Sequence, residues 1–522
     1  MRKLRAGVVA SAILLAAGAA SAQDCAGLKN LRLDSTEITA ADTVTSGTLD
    51  LPEAVSLHDL PAFCRVQGIM RPGSDSKIRF EVWLPAKNWN GRELGVGNGG
   101  FAGVIGYQQM GGYLLRGFTV SGTDTGHQAN GTDATWAFQH PEKVKDFGWR
   151  SIHLTAQRSK EILRAYYGKP QQKSYFDACS DGGREALMEA QRFPDDYDGI
   201  LAGAPAYAWS TLLASGVSAM QALGDPTAYI SSFKLPAIQK ASLDACDSLD
   251  GAKDGIIGDP SQCRFDPQVL LCKGEESLDC LTQPQIKTLQ TLYNGARSKT
   301  GQPHGFGFSM GDELGWAHWI VGEDPEASAF SQFVRNDFRY IVTGDPKWNG
   351  LTADPDAMMT LSHDKSAEDL DSTDPDLSKF SARGGKLILY HGWNDPAIAP
   401  GYTIDYYKQV RQKMGADKTG SFVRLYMVPG MEHCIGGPGA TAFGQFGVPT
   451  EKGSRFGLFD SLENWVEKGA PDDNVIATRF APQGNAAHQP SLTRPLCAYP
   501  TVPKYKGSGD INDAASFACA QP

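Results

Sequence analysis

The chain has 522 residues, of which 41% are hydrophobic and 21% charged, and its 49 Lys and Arg against 59 Asp and Glu give a formal net charge of −10 at pH 7. An acidic chain without basic runs excludes nucleic acid and anionic membrane surfaces as expected partners. The 58 glycines and 10 tryptophans are typical of a loop-rich globular enzyme, not of a helical bundle or a disordered chain.

The first 22 residues predict a secretory signal peptide. Basic residues at Arg2, Lys3 and Arg5 precede a run of small and apolar residues that ends at Ala20-Ser21-Ala22. The alternative, an uncleaved membrane anchor, is disfavoured because the apolar run is short for a bilayer and rich in alanine. Cleavage leaves 46 cationic and 59 acidic residues, a net charge of −13, and we expect a soluble protein that is periplasmic or secreted.

Strand-like and helix-like segments alternate over residues 30–205. They are RFEVWLP (79–85), ELGVGNGG (93–100), YLLRGFTVSGTD (113–124), the helical SIHLTAQRSKEILRAYYG (151–168), SYFDACS (174–180), the helical GGREALMEAQRFP (182–194) and GILAGAP (199–205). This alternation is typical of βαβ units around a mainly parallel sheet.

The pattern changes after residue 205 and returns near residue 381. Mixed helices and loops occupy 206–380, and strand signals resume with KLILYHGWNDP (386–396) and FVRLYMVPGMEHC (422–434). Since 500 residues exceed the usual size of one compact core, we predict a catalytic domain made of 23–205 and 381–522. A lid domain at 206–380 would interrupt it and cover the strand ends.

The segment Ala178-Cys179-Ser180-Asp181-Gly182 has the form of a nucleophile elbow. Such a strand-to-helix turn is so tight that only small residues fit two positions before and after the serine. The hydroxyl then lies at a helix N-terminus, with the backbone N–H of Asp181 facing the position of a developing oxyanion. The alternative is a serine that only caps a helix.

An aspartate and a histidine, both more than two hundred residues after Ser180, complete a predicted catalytic triad. Asp395 follows the strand KLILYHGW and His433 follows VRLYMVPGM, which gives the chain order Ser, Asp, His expected for this fold. The alternatives are a structural Asn-Asp-Pro turn and a solvated loop histidine. We predict Ser180 as nucleophile, His433 as base and Asp395 as the residue that orients the base.

All ten cysteines follow the predicted signal peptide, and an even number in an exported chain predicts five disulfides. The short separations of 246–263, 272–280 and 497–519 suggest local pairs. Cys179 precedes Ser180 as Cys434 follows His433, so we predict a Cys179–Cys434 bridge beside the triad. A thiol nucleophile or a metal-ligand role is disfavoured in an oxidising compartment.

A glycine-rich segment, GNGGFAG at 97–103, follows the strand-like ELGV and predicts the second oxyanion donor. The donor is expected from the backbone of Gly99 or Gly100, because close approach to a substrate oxygen favours a residue without a side chain. A phosphate-binding loop is the competing interpretation, but the lysine of that motif is missing.

The segment DACDSLDGAKDGIIGDP at 244–260 places Asp247, Asp250 and Asp254 among glycines. Three carboxylates in a turning loop suit calcium, and the carbonyls of Ala252 and Ile256 would add two more oxygen ligands. The spacing of an EF-hand is not met. The alternative is a solvated acidic loop, and the predicted role of the ion is structural.

Together, Cys-Ser-x-Gly-Gly at 179–183, His-Cys at 433–434 and Asp395 resemble the tannase and feruloyl esterase family of secreted serine esterases. GNGGFAG, TDTGH (123–127), GGREALMEAQRFPDDYDGILAGAPA and CDSLDGAKDGI belong to the same resemblance, which covers nearly the whole mature chain. It implies an α/β-hydrolase fold with a large inserted lid, the triad above, and calcium at the five residues named. It also implies the disulfides Cys25–Cys64, Cys179–Cys434, Cys246–Cys263, Cys272–Cys280 and Cys497–Cys519.

The expected substrate is a small ester of an aromatic acid, free or attached to a plant polymer. Hydroxycinnamoyl esters are favoured, with gallate esters or terephthalate half-esters as alternatives. Aromatic side chains of the predicted lid are candidates to stack on the acyl group, although such residues more often belong to the hydrophobic core. Trp316 and Trp319 are the first candidates, and the others are Trp209, Phe330, Phe333 and Phe338. More distant alternatives are a serine peptidase and a catalytically silent, calcium-stabilised binding protein.

Overall fold

The structure is a computed structural model that describes residues 24–447, 457–472, 474–481 and 489–522. The predicted signal peptide lies outside the described residues. The strands are β1 (Thr36–Val44), β2 (Gly47–Leu51), β3 (Val55–Leu60), β4 (Phe63–Met70), β5 (Ile78–Pro85), β6 (Arg92–Val96), β7 (Thr119–Thr123), β8 (Lys173–Cys179), β9 (Gly199–Gly203), β10 (Lys386–Gly392), β11 (Val423–Val428), β12 (Ile476–Phe480), β13 (Pro490–Pro495), β14 (Val502–Tyr505) and β15 (Phe517–Ala520).

The helices surround one large sheet. They are α1 (Tyr107–Leu115), α2 (Pro141–Lys145), α3 (Ser151–Tyr167), α4 (Asp181–Arg192), α5 (Trp209–Gly224), α6 (Leu235–Cys246), α7 (Gln283–Asn294), α8 (Ala329–Asp337), α9 (Pro355–Leu370), α10 (Ser378–Ala382), α11 (Gly401–Met414), α12 (Ala416–Gly420) and α13 (Leu458–Lys468). In the described ranges, no helix is long and apolar enough to cross a membrane.

Nine strands form the sheet in the order β1-β4-β5-β7-β6-β8-β9-β10-β11. The pairs from β7 to β11 are parallel, and the pairs from β1 through β5 to β7 are antiparallel. This mainly parallel sheet with flanking helices is the predicted α/β-hydrolase fold, which is confirmed.

Strand β8 is central to the sheet, and both of its faces are buried. Along it, Tyr175 packs into one hydrophobic cluster and Phe176 into the cluster on the opposite face, as the two-residue period of a strand requires. Central parallel strands are covered by helices on both faces and therefore read as continuous apolar runs. The burial of β8 fixes the position of the serine that follows it.

The segment YLLRGFTVSGTD divides differently from the prediction. Tyr113, Leu114 and Leu115 end helix α1, and the strand begins only at Thr119. Met110, Tyr113 and Leu114 are buried at helical spacing, a pattern that a short apolar run does not distinguish from a strand.

Between β9 and β10 the chain forms helices α5 to α10 without adding a strand to the main sheet. The proposed division into a catalytic domain and a lid at 206–380 stays a prediction. The structure contains five disulfides, and all five pairings match those implied by the resemblance.

Candidate active site

Ser180 occupies the tight turn between β8 and α4. Its backbone has φ 68° and ψ −124°, a conformation that strains any residue with a side chain. Glycines allow the turn to close: a Cβ on Gly182 would lie 2.6 Å from the Cβ of Ala178, and one on Gly183 would lie 2.3 Å from the carbonyl oxygen of Gly203. Close packing therefore requires the small residues around the serine.

The side chains of Ser180, His433 and Asp395 form one hydrogen-bonded chain. His433 Nε2 lies 2.8 Å from Ser180 Oγ, and His433 Nδ1 lies 2.8 Å from Asp395 Oδ2. Asp395 follows β10 and His433 follows β11, and both strands are parallel to β8, so all three residues reach the same edge of the sheet. In this arrangement an imidazole can accept the serine proton while a carboxylate holds the ring.

Asp395 is fully buried and has a partner for each oxygen. Oδ1 accepts hydrogen bonds from the backbone N–H groups of Ala397 (2.8 Å) and Ile398 (2.9 Å), and Oδ2 faces His433. Burial acts to raise the pKa of Asp395, but the charge of His433 and the hydrogen bonds from His391 and His433 outweigh it, so that the pKa lies well below its usual value. The carboxylate is therefore charged over the working pH range.

His391 is a site residue that the sequence reasoning missed. Its Nε2 lies 2.9 Å from the Ile398 carbonyl oxygen and 3.2 Å from Asp395 Oδ2, and its Nδ1 lies 2.7 Å from Thr403 Oγ1. These contacts fix the ring beside the carboxylate. The available signal is a histidine inside the apolar strand KLILYHG, where an imidazole needs polar partners.

A disulfide joins the two sides of the triad. Cys179 and Cys434 have Cα atoms 6.0 Å apart and are separated by 255 residues in the chain. Cys434, like Ser180 in the elbow, has a positive φ, here 65°. The bond fastens the loop that carries His433 to the turn that carries Ser180, as the sequence predicted.

Residues 97–103, here called the glycine loop, lie beside the N-terminus of α4. The N–H groups of Asp181, Gly99 and Gly100 donate to no backbone acceptor within the described ranges. Gly100 has a φ of 59°, and a Cβ there would lie 2.2 Å from the Gly131 carbonyl oxygen, whereas a Cβ on Gly99 would meet nothing within 4 Å. All three residues line the same cavity as Ser180, and the choice between Gly99 and Gly100 stays open.

His127, in the segment TDTGH, holds the other side of the glycine loop. Its Nε2 lies 2.8 Å from the Phe101 carbonyl oxygen, and its ring stacks on Trp136 with centroids 3.8 Å apart. Burial lowers the pKa of His127 to about 4. The ring is neutral at pH 7, so its Nε2–H donates to the carbonyl.

A cavity of about 450 Å³ opens over Ser180 and His433, and its wall is mainly apolar. Of the charged residue types, only Asp181 lines it among the described residues; neither Lys nor Arg does. The side chains that shape it away from the triad are Val104, Gln109, Trp209, Leu212, Leu213, Trp319, Phe330, Phe333, Ala397, Ile398 and Phe446.

The structure separates the two tryptophans predicted to stack on a substrate. Trp319 lines the cavity, with its ring centroid 5.2 Å from that of His433 at an interplanar angle of 70°. Trp316 is buried against Tyr293 and Phe308 and does not line the cavity. The prediction was wrong for Trp316, because its indole is packed among these aromatic side chains in the core.

The aspartates predicted to bind calcium share one loop after α6. Asp247 accepts hydrogen bonds from the N–H groups of Gly255 and Ile256, both at 3.1 Å, and Asp254 pairs with Arg494. Burial and the charges of Asp254 and Asp247 raise the pKa of Asp250 to about 6. Of the three carboxylates, only that of Asp254 forms an ion pair in the described residues, and partly buried oxygen donors in excess of basic groups suit a hard cation.

The three carboxylates are more widely spaced than a compact ligand group. Among the described residues, the group with ligand atoms all within 4.8 Å of one another is His153, Glu189 and Asp196. Calcium accepts oxygens at 2.3–2.6 Å, so ligands on opposite sides of the ion are about 5 Å apart. Asp247, Asp250 and Asp254 do not meet the 4.8 Å criterion in the described residues, and the calcium site stays a prediction.

The predicted calcium loop also contacts the loop that carries His433. A Cβ on Gly430 would lie 3.2 Å from Ile256 Cγ2, and Ile256 shares a hydrophobic cluster with Met431. The predicted calcium loop, distant from His433 in sequence, thus packs against the segment that carries His433.

Comparisons with known proteins agree with this geometry. A family model described as "Tannase and feruloyl esterase" matches residues 64–520. An uncharacterized esterase of Xanthomonas campestris is 39% identical and covers 99% of this chain and 95% of its own, and the mono(2-hydroxyethyl) terephthalate hydrolase of Piscinibacter sakaiensis is 34% identical over 90% and 87%. The crystal structure of feruloyl esterase B from Aspergillus oryzae superposes with a TM-score of 0.87 at 29% identity, covering 95% and 99% of the two chains.

Proposed function

The chain belongs to the tannase and feruloyl esterase family and is a carboxylic ester hydrolase, and from this premise we propose that it hydrolyses esters of aromatic acids through a Ser180-His433-Asp395 triad. One observation carries the proposal: His433 Nε2 lies 2.8 Å from Ser180 Oγ while its Nδ1 lies 2.8 Å from Asp395. Nucleophile, base and orienting carboxylate are thus in mutual contact.

In the first half-reaction, Ser180 Oγ forms a bond to the ester carbonyl carbon while His433 Nε2 takes the hydroxyl proton. The resulting oxyanion accepts hydrogen bonds from the N–H of Asp181 and from that of Gly99 or Gly100. The bond from carbon to the alcohol oxygen then breaks, and His433 returns its proton to that oxygen. The products are the free alcohol and an acyl-enzyme on Ser180.

In the second half-reaction, water takes the place of the alcohol. His433 accepts a proton from the water as its oxygen attacks the acyl carbon, and the same N–H groups hold the second oxyanion. Collapse breaks the bond to Ser180 Oγ, which regains the proton from His433. The acid leaves and the enzyme returns to its starting state.

The cavity wall supports an uncharged aromatic acyl group, and hydroxycinnamoyl esters are the substrates we propose first. Trp319, Phe330 and Phe333 offer aromatic surface beside the triad. A terephthalate half-ester would bring a second carboxylate into a mainly apolar cavity that no described Lys or Arg lines, and an unpaired charge there is costly. Gallate carries three hydroxyls, and few side chains of the wall are free to bind them.

Gallate esters and terephthalate half-esters remain the alternatives, each with a named relative or family behind it. The substrate is a small ester, free or attached to a plant polymer. A catalytically silent binding protein is the candidate from another class, and an intact hydrogen-bonded triad argues against it.

We also propose one structural calcium ion held by Asp247, Asp250 and Asp254 with the carbonyls of Ala252 and Ile256. A bound ion would neutralise the excess carboxylate charge of the loop. We propose export behind a cleaved signal peptide, in agreement with five disulfides, which persist in oxidising compartments.

The test measures initial rates of the mature protein, with calcium present, on methyl ferulate, methyl gallate, mono(2-hydroxyethyl) terephthalate and an aliphatic ester. Ser180→Ala and His433→Ala are assayed beside it, with circular dichroism to verify folding. We expect methyl ferulate to be turned over fastest and each variant to lose activity by about 10⁴-fold or more.

Each outcome assigns the substrate or removes the proposal. Fastest turnover of the half-ester or the gallate would move the assignment to that alternative. Turnover near that of the parent protein in folded Ser180→Ala would refute the triad. No hydrolysis of any ester by a folded, calcium-loaded preparation, together with no labelling of Ser180 by a phosphonate, would favour the silent binding protein.

A further inference from the structure

The glycine loop is attached to helix α4 by the backbone of one residue, Asn98. Its N–H donates to Glu185 Oε2 at 3.0 Å, and its carbonyl oxygen accepts a hydrogen bond from the N–H of Gly182 at 2.9 Å. Gly182 and Glu185 both lie on the first turns of α4, directly after Ser180. The residue before Gly99 is thus held to the same helix that presents the nucleophile.

The backbone around Asn98 packs closely against helix α4. A Cβ on Gly97 would lie 2.6 Å from Glu185 Oε2, and a Cβ on Gly182 would lie 2.7 Å from the Asn98 carbonyl oxygen. Contacts below 3 Å force one partner to move. The loop and the helix therefore fit in one arrangement, and Glu185 forms part of its wall.

The side chain of Asn98 makes the attachment stiffer. Its Nδ2 donates to the carbonyl oxygens of Val104 at 2.7 Å and Thr123 at 2.9 Å. Asn98 thus bridges α4, the end of the glycine loop and strand β7. Its backbone N–H depends on a single acceptor, the carboxyl of Glu185.

Glu185 is fully buried, and its second oxygen, Oε1, has no hydrogen-bond partner in the described part of the chain. Burial and the charge of Asp181 raise the pKa of this carboxyl to about 8. A buried acid that forms no ion pair or hydrogen bond with a basic side chain is costly unless it serves another group. The group it serves here is the N–H of Asn98.

We propose that Glu185 is a positioning residue for catalysis: through the backbone of Asn98 it sets the place of the N–H at Gly99 or Gly100 that meets the oxyanion. This inference rests on the proposed function. An oxyanion donor acts on the transition state and little on bound substrate, so its displacement lowers kcat more than it changes KM. Loss of a donor costs about 100- to 1000-fold in kcat, and displacement costs less.

The test compares Glu185→Gln with Glu185→Met. Glutamine keeps a carbonyl oxygen for the Asn98 N–H, whereas methionine fills a similar volume without an acceptor. We expect Glu185→Met to lower kcat by about 10- to 100-fold with KM within about twofold. We expect Glu185→Gln to keep kcat within about threefold of the parent protein.

Glu189 supplies the matched control, because it lies one turn further along α4, is equally buried, and forms no hydrogen bond to the glycine loop in the described part of the chain. Glu189→Gln and Glu189→Met should change the melting temperature without the kcat loss of Glu185→Met. If Glu189→Met lowers kcat as much as Glu185→Met, or if Glu185→Gln is as damaging as Glu185→Met, the positioning role is refuted.

A second variant covers the case in which Glu185→Met does not fold. Asn98→Asp replaces the amide donors to Val104 and Thr123 with an oxygen and should lower kcat in the same selective way. A folded Asn98→Asp with unchanged kcat would overturn the inference. Ser180→Ala in the same assay tests the proposed function separately: activity near that of the parent protein refutes the triad, whereas a loss of about 10⁴-fold leaves the comparison at Glu185 decisive.

Discussion

Removal of the Cys179–Cys434 disulfide is the perturbation with the largest expected effect. The chain-entropy model gives roughly 5.5 kcal/mol for a loop closed over 255 residues and roughly 2.5 kcal/mol for one closed over 8 residues, the separation of Cys272 and Cys280. The double variant Cys179→Ala/Cys434→Ala should therefore lose about 3 kcal/mol more unfolding free energy than Cys272→Ala/Cys280→Ala.

The effect on kcat should distinguish the Cys179–Cys434 disulfide from a cross-link that only stabilises the fold. Without it, the loop of His433 is no longer fastened to the turn of Ser180, and a displacement near 1 Å costs up to about 100-fold in rate. We expect kcat to fall by roughly 10- to 100-fold in the Cys179/Cys434 variant and to stay near the parent value in the Cys272/Cys280 control.

The assay is urea unfolding followed by circular dichroism, with kcat on methyl ferulate measured well below the unfolding midpoint. Equal kcat in the two double variants would show that the bond does not align the triad. Equal losses of stability would show that loop length does not set its contribution.

Three further predictions follow from other parts of the site. The pKa of His127 is about 4 in the folded protein and about 6.5 in the unfolded chain. Because the unfolded state binds more protons between these values, the free energy of unfolding should fall by about 3 kcal/mol as pH drops from 6.5 to 4. His127→Gln should flatten urea-unfolding free energies over that range, and an unchanged slope would contradict the assignment. EDTA should lower the melting temperature of the parent protein, and Ca²⁺, but not Mg²⁺, should restore it. This response to EDTA should be weaker below pH 6, where Asp250 gains a proton, and in the variant Asp250→Asn. A melting temperature that EDTA does not change would exclude the ion. Trp319→Ala should raise KM for aromatic esters by about 3- to 10-fold and leave that for aliphatic esters within about twofold, and equal effects on both would exclude stacking.

The sequence predicts the sheet and the triad because both depend on local patterns. The elbow needs small residues at fixed positions around Ser180, and continuous apolar strands precede Ser180, Asp395 and His433. The bridge between Cys179 and Cys434 follows from their positions beside the nucleophile and the base. The chain order of nucleophile, acid and base expected for this fold supplies the long-range proximity that these local patterns lack.

Features set by tertiary packing escaped prediction. His391 lies in an apolar strand, and its contact with Asp395, four residues further on, depends on how the turn after β10 folds. Glu185 resembles any charged residue of an amphipathic helix until Asn98 is placed on it. Trp316 and Trp319 are three residues apart, and only the local turn decides which one borders the cavity.

The nucleophile and its base come from opposite sides of the long insertion. Ser180 follows β8, whereas Asp395 and His433 follow β10 and β11, which are synthesised about two hundred residues later. A chain that has emerged only as far as the insertion already contains the elbow but lacks both partners of the serine. On the proposed triad, ester hydrolysis requires that the carboxyl-terminal strands have joined the sheet, and we expect a molecule that ends within the insertion to be inert toward esters.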